Sequence, residues 1–422
     1  MAEPNVESKV PNGGWGWMCV VGCFTMHFLL GGLSRSFGII YRWLQLRFDK
    51  SAAITAWIGG TGFAIRMGFS PLGTGLSTRY GTKPVVIVGG FLMGIGVILC
   101  AIAPSVEFMF FSYCLVTGIG GTLIYAPAVV IMSKYFSTRR SIANGISSCG
   151  SGFGVFVLPL LMEFLHEEYG YFGAVLILGG IELNNVCCGM LYRPLEQPVE
   201  AQTKREEKYI DYRMLKEFTF IYYALSLAFF TSSYQPAQML LPSMAIDKGF
   251  SKHEGAMLLS VVGIADMVSR FLTGFIYDSR LLKNYKPQLF VIAMILSSVS
   301  QYVWGLSHNY PCLIAMSVVH GLFNGSVVSQ RSVIAAELLG IERLSNSFGL
   351  SMAFQGTALM IGPLCAGYLR DVTSSYVFSF IFTGSCCLFA AFIFTVGHII
   401  DKYLRRRKAI EIATVTVEET KL

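Results

Sequence analysis

Six ionisable residues lie deep in long apolar stretches of the chain: Arg35, Arg66, Glu182, Asp266, Arg270 and Arg331. An ionised side chain facing lipid at the middle of a membrane helix costs about 2.5–3.5 kcal/mol, so six would cost on the order of 18 kcal/mol. Such residues must face protein or a water-filled cavity. Four positive against two negative charges make that interior attractive to anions and repulsive to cations. Asp266 and Arg270 stand one helical turn apart and share a face. They either form a structural pair or present a guanidinium fork for which a substrate carboxylate competes with Asp266. Arg35 either faces the same cavity or snorkels to the outer surface. Arg66 and Arg331 read as structural pairs or helix caps, and Glu182, close to Asn184 and Asn185, as a packed polar contact. His27 and His320, also on apolar runs, read as hydrogen-bonded core histidines, although imidazole is the group best placed to titrate near neutrality.

Enzyme chemistry finds no matching constellation. His166-Glu167-Glu168-Tyr169-Gly170 lacks the second histidine of a zinc-protease helix, and the glycines from Gly73 to Gly81 before Thr82-Lys83 do not make a phosphate-binding loop. No nucleophile triad is legible, so the sequence predicts neither an enzyme nor a cofactor. The eleven cysteines lie mostly within apolar runs without CxxC or metal-ligand spacing, which predicts packing roles and neither disulfides nor a zinc site. Asn324-Gly325-Ser326 is formally a glycosylation sequon inside an apolar run, where it would go unused.

The elements that must position these residues follow from composition. Of 422 residues 54% are hydrophobic and 14% charged, and the mean hydropathy is +0.57. Soluble chains carry roughly a quarter charged residues, so this composition predicts a polytopic membrane protein with no room for a fused ATPase domain. Apolar runs fall at about 15–40, 52–77, 84–103, 106–131, 141–162 and 170–192, and, after a polar stretch, at about 218–246, 253–277, 288–307, 310–336, 345–369 and 374–400. Lipid leaves no backbone group unsatisfied, and runs this long and uniform suit helices. The fold class is therefore all-α integral membrane with twelve transmembrane helices. Expected boundaries are an N-terminal tail at 1–14, six helices over 15–192, a central loop at 193–217, six more over 218–400 and a C-terminal tail at 401–422. Prolines 71, 127, 159, 236, 242 and 363 in or near the runs predict bends. Gly118 and Gly121, Gly150, Gly152 and Gly154, and Gly321 and Gly325 have helix-contact spacing, for tight packing or for a sliding contact.

With the N-terminus inside, 22 Lys and Arg fall on the inner side, against only Arg42, Arg47, Lys50, Lys248, Lys252 and Arg370 outside. This bias predicts a multi-pass protein with both termini cytoplasmic. The net charge of +7 is thereby explained as loop charge, and no nucleic-acid partner is implied.

Asn12-Gly13-Gly14-Trp15-Gly16-Trp17 resembles the first signature of the monocarboxylate transporter family of the major facilitator superfamily. The run from Lys134 through Phe136-Ser137-Thr138-Arg139-Arg140 to Asn144-Gly145 is similar to that family's loop 4–5 motif, and Gly75 to Lys83 to the superfamily's loop 2–3 motif. The resemblance spans essentially the whole chain. It implies two six-helix bundles around a cavity that opens alternately to each side, carrying monocarboxylates or related metabolites, often with a proton. In the proton-coupled members a lysine in the first helix and an aspartate and arginine in the eighth bind proton and substrate. Asp266 and Arg270 match the second pair, Arg35 fills the lysine position, and Asn144 matches a motif asparagine beside the cavity.

Two departures mark this chain, as they mark orphan members of the family. Asn12 replaces an acidic residue, and Arg35 replaces a lysine that can release a proton, which a guanidinium does not. The expected function is secondary transport of a monocarboxylate or related small organic anion by alternating access. Arg35, Arg270, Asn144 and Arg66 bind substrate and Asp266 serves proton coupling. Arg66 adds a charge that selects a more anionic or bulkier acid. The alternative is a pH-independent facilitator of an amino-acid-like or zwitterionic metabolite. Expected partners are the organic anion, a proton, membrane lipid and, as for several family members, a single-span immunoglobulin-type chaperone; the expected location is the plasma membrane.

Overall fold

The computed structural model describes residues 12–36, 39, 40, 43, 52–194 and 211–419. The tail before Asn12, the outer basic residues Arg42, Arg47 and Lys50, and the central-loop charges from Glu196 to Lys208 lie outside the described residues. Twelve helical passes follow in order. The first four are α1 (Trp15–Arg35), α2 (52–80), α3 (Thr82–Ala101) and α4 (Val106–Tyr135). The next stretch, Arg140–Leu191, has 52 residues. At 1.5 Å per residue it would be about 78 Å long, far more than a bilayer needs. It divides at Gly170, whose φ of 63° and ψ of −174° only glycine adopts readily, into α5 (140–169) and α6 (171–191). The second half comprises α7 (Phe218–Asp247), α8 (Lys252–Asp278), α9 (Lys286–Leu306), α10 (Tyr310–Leu339), α11 (Leu344–Thr373) and α12 (Tyr376–Glu419).

The twelve expected helices thus form, with two differences. The first helix breaks at Ser36, with Ile39, Ile40 and Trp43 again helical, and α12 runs on to Glu419 rather than stopping at 400. Pro71 opens the second part of α2 and is a bend, as expected. Ends are fixed by side chains. Ser251 and Glu254 form a reciprocal capping box at the start of α8. Lys248 donates to the terminal carbonyls of α9 at Trp304, Gly305 and Ser307, over 2.6–2.8 Å. Burial lowers the pKa of this ammonium from its ordinary value, and the neighbouring Asp247 carboxylate opposes the shift.

Within each bundle small residues set helix spacing. A Cβ on Gly32 would lie 2.8 Å from the Gly154 backbone, and one on Gly325 would lie 2.5 Å from the Asp266 carbonyl, so α1 packs on α5 and α10 on α8 at backbone contact. The two halves meet along α5 with α8 and along α2 with α11. Here Gly145 and Gly274 face each other, and a Cβ on Gly145 would stand 2.5 Å from the Arg270 carbonyl.

Twelve passes put both ends of the described chain on one face, here termed the terminal face. Hydrogen bonds between the halves cluster from the middle of the molecule to that face. The Asp278 carboxylate accepts from the backbone N–H of Ile142 in the first turn of α5 (3.0 Å) and from Lys286 (3.0 Å), and Lys286 also donates to Ser141 (3.2 Å). Thr78 and Ser345 pair at 2.8 Å across α2 and α11. Among the described residues no hydrogen bond joins the halves toward the opposite face, so the bundle is latched at the terminal face.

The glycine and tryptophan signature is explained by the same face. Asn12 Oδ1 accepts from the backbone N–H groups of Ser137 (2.8 Å) and Thr138 (3.0 Å), so the first motif docks onto the loop 4–5 motif. Trp15 donates to the Leu191 carbonyl at 2.8 Å beneath the Arg193 guanidinium, and Trp17 meets Phe136 edge-on. A Cβ on Gly16 would lie 3.0 Å from the Phe136 ring, which explains the small residue between two tryptophans.

Candidate functional site

The centre of the site is a small cavity where α5, α8 and α10 converge with α1, α4 and α11. Arg270 and Arg331 supply its positive charge, and His27, Tyr125, Asn144 and Phe348 complete the wall together with several serines. Arg270 is 3% exposed and Asp266 2%. Their 2.8 Å ion pair uses the guanidinium Nε and one carboxylate oxygen, Oδ2. The other oxygen accepts a long 3.4 Å bond from Asn324. Arg270 also crosses to the other half, where Nη1 donates to Ser151 Oγ at 3.0 Å and approaches the Ser148 carbonyl at 3.5 Å. Its Nη2 has no hydrogen-bond partner among the described residues, which leaves a charged donor for a carboxylate.

Arg331, read from sequence as a structural cation, is the second charge of this cavity. Nη1 donates to Gln355 at 2.7 Å and Nη2 to the Tyr125 hydroxyl, so α10 is tied both to its own bundle and to α4. Tyr125 and Gln355 escaped sequence reasoning, since aromatic and amide residues in a membrane protein carry no spacing signal. The arginine itself was the available clue.

Asn144 does line the cavity, and all its side-chain groups are engaged. Its amide nitrogen donates to Ser133 and to the Arg140 carbonyl, and its oxygen accepts from Ser332 at 2.7 Å. It therefore binds α4, α5 and α10 together at the cavity wall. Arg66 stands apart in a second small cavity within the first bundle, with Ser34, Phe63 and Tyr113 among its walls. Its Nη1 donates to Ser34 at 2.6 Å and its guanidinium lies 4.2 Å over the Phe63 ring. Arg35 is exposed in the last turn of α1 and lines neither cavity, the position of a snorkelling side chain. Glu182 is buried and accepts from Asn185 at 2.9 Å, as a packed polar contact should. His27 bonds the Cys23 carbonyl at 2.8 Å, and His320 meets Ser300 at 3.1 Å, so both are hydrogen-bonded core histidines.

The eleven cysteines are all free, and among the described residues no three His, Cys, Asp or Glu side chains cluster as metal ligands would. Two helical bundles latched at one face around a buried, net-positive cavity have the architecture of a membrane transporter. Residues 23–289 and 279–414 match the Major Facilitator Superfamily. Monocarboxylate transporter 12 of Rattus norvegicus is 30% identical over 430 residues, covering 94% of this chain and 88% of the relative. Monocarboxylate transporter 13 of the same organism is 31% identical over 382 residues, covering 90% and 89%. The chain belongs to the monocarboxylate transporter family of the major facilitator superfamily. Its fold is shared by the human organic anion transporter MFSD10 (TM-score 0.69, 15% identity, 90% of this chain and 98% of that one). It is likewise shared by the transporter FucP in its outward conformation (TM-score 0.67, 14% identity, 91% and 99%).

Proposed function

We propose that this chain moves a monocarboxylate or related small organic anion across the plasma membrane by alternating access, together with a proton. The observation that carries the reading is Arg270: a buried guanidinium at the junction of the halves, engaged by Asp266 through one nitrogen and with another free toward a cavity that Arg331 also charges. A carboxylate bound at Arg270 Nη2 competes with Asp266 for the guanidinium, and the displaced Asp266 takes up the proton. Because Arg270 also holds Ser151, substrate capture bears directly on the contact between α5 and α8. Asn144 keeps the wall in place, Arg66 lies in its own cavity within the first bundle, and Arg35 stands at an exposed helix end outside both cavities. The Lys and Arg bias assigns the terminal face to the cytoplasm, so the latched state is open to the outside.

The deciding experiment is uptake of labelled lactate, pyruvate, ketone bodies, creatine and aromatic amino acids into proteoliposomes, with and without an inward proton gradient. Gradient-driven accumulation of a monocarboxylate is expected, and Asp266→Asn should retain exchange while losing accumulation. Uptake indifferent to the gradient and inhibited by amino acids would replace this reading with a facilitator of a zwitterionic metabolite, bound at both ends by Asp266 and Arg270.

A further inference from the structure

At 1.5 Å per residue a helix crosses the hydrocarbon core in about 20 residues. Counting from Tyr376, α12 leaves that core shortly before His398, and its remaining turns rise through the headgroup layer of the terminal face. At this level an open pocket separates the middle of α12 from the start of α9 and the end of α10. His398, Lys402 and Arg406 face it from successive turns of α12, while Asn284 and Gln288 offer amides from the α9 side.

The charges divide into satisfied and unsatisfied sets. Arg405 is tied to Asp401 at 3.0 Å and to the Leu338 carbonyl at 3.1 Å, and Thr219 closes that set by donating to Asp401 at 2.8 Å. Glu337 faces Lys286 and Arg140. Lys402 and Arg406 are exposed and form no hydrogen bond or ion pair with any described residue. His398 Nδ1 is enclosed and also lacks a partner. Two unpaired cations one turn apart, with an imidazole below and amides opposite, suit a phosphate bearing neighbouring hydroxyls. Beside the cationic row, Ile399 (62% exposed) and Tyr403 (66% exposed) offer apolar surface at the depth where acyl chains begin.

We propose that this pocket binds the headgroup of an anionic phospholipid carrying a phosphomonoester, with Lys402 and Arg406 holding the phosphate. The site is independent of the substrate cavity and of the transport reading. The test is native mass spectrometry of the purified full chain in detergent with phosphatidylinositol 4-phosphate, phosphatidylserine or phosphatidylcholine added. Preferential retention of phosphatidylinositol 4-phosphate is expected, falling about 30-fold in the Lys402→Gln/Arg406→Gln double variant, as two basic side chains at a membrane surface should give. Arg343→Gln, which removes an exposed arginine paired with Glu217 on the same face, should leave it unchanged. Because both substituted side chains are exposed, an unaltered melting curve is expected to accompany the loss. Equal retention in the double variant, or an equal loss in Arg343→Gln, would show diffuse surface attraction and overturn the site. Complete displacement of the lipid by millimolar inorganic phosphate would overturn the lipid assignment in favour of a soluble anion.

Discussion

Asp266 and Arg270 face each other one turn apart on α8 at 2.8 Å, and the same guanidinium reaches Ser151 on α5. One ion pair is thereby both the charge centre of the cavity and part of the seam between the bundles. Removing one partner of a buried pair costs about 3–5 kcal/mol because the other charge is left uncompensated. Asp266→Ala and Arg270→Ala should each lower the melting temperature of the purified protein. The double variant should be more stable than the sum of the two losses predicts, while remaining inactive. Additive losses would mean that the two side chains do not depend on each other.

The three remaining arginines should separate by position. Arg331→Ala is expected to lower uptake at least about 100-fold, the scale of a lost charged contact of about 3 kcal/mol in a desolvated cavity. Arg35→Ala, at an exposed helix end, should stay within about threefold of the parent. Arg66→Ala should change which acids compete rather than the rate for the smallest ones, since its cavity is lined by Phe63 and Tyr113 and is separate from Arg270. An unchanged competition profile in Arg66→Ala would remove this residue from substrate selection.

The fold is legible in the sequence because membrane helices announce themselves by length and hydropathy, and Asp266 and Arg270 stand out as candidates because a charge in an apolar run must be explained. The sequence is less clear on the other arginines. It assigns Arg35 to substrate binding and Arg331 to a structural pair or helix cap, whereas Arg331 lines the central cavity and Arg35 stands exposed outside it. Both are arginines in apolar runs, and only the helix ends and the partners across the bundle decide which one faces the cavity. The first run looks continuous to about residue 40, yet the helix breaks at Ser36, directly after Arg35, whose side chain is exposed. Asn12 was legible as a departure from a signature, but its bonds to Ser137 and Thr138 join residues 125 and 126 positions apart, a relationship that no local pattern encodes.

That contact gives a prediction about the signature itself. Asn12→Asp keeps the acceptor for both backbone N–H groups and should retain stability and uptake, whereas Asn12→Ala leaves both donors unmatched and should cost about 1 kcal/mol, as loss of a helix-capping side chain does. Comparing melting temperatures of the two variants checks this. Equal destabilisation would show that the amide nitrogen, which donates to Ser137 Oγ at 2.9 Å, matters more than the oxygen.

Asp278 is the latch residue whose removal should shift the conformational balance. It accepts from the Ile142 N–H and pairs with Lys286, so Asp278→Asn weakens a charge-assisted contact between the bundles worth about 1.5–3 kcal/mol. That corresponds to about a 10- to 100-fold rise in the population open at the terminal face. Cys149, buried at the same seam with its thiol directed at the Met267 carbonyl, can report the change. In a background lacking the other cysteines, its labelling by a small maleimide should accelerate in Asp278→Asn, and an unchanged rate would mean that the seam is held elsewhere.

Gly145 tests the same seam by volume rather than by charge. A Cβ there would stand 2.5 Å from the Arg270 carbonyl and 3.1 Å from Gly274 Cα, so backbone, not a flexible side chain, would have to yield. Gly145→Ala is therefore expected to disfavour the latched state while leaving each bundle folded, because the clash lies between the bundles. Gly180→Ala, where nothing lies within 4 Å, serves as the matched control. Cys149 labelling should rise in Gly145→Ala as it does in Asp278→Asn, with helical content unchanged by circular dichroism. Because both changes act on one equilibrium, the double variant should label no faster than a fully open protein allows, so the two effects saturate rather than multiply. Multiplicative effects would separate the steric seam at Gly145 from the latch at Asp278 and require two independent openings.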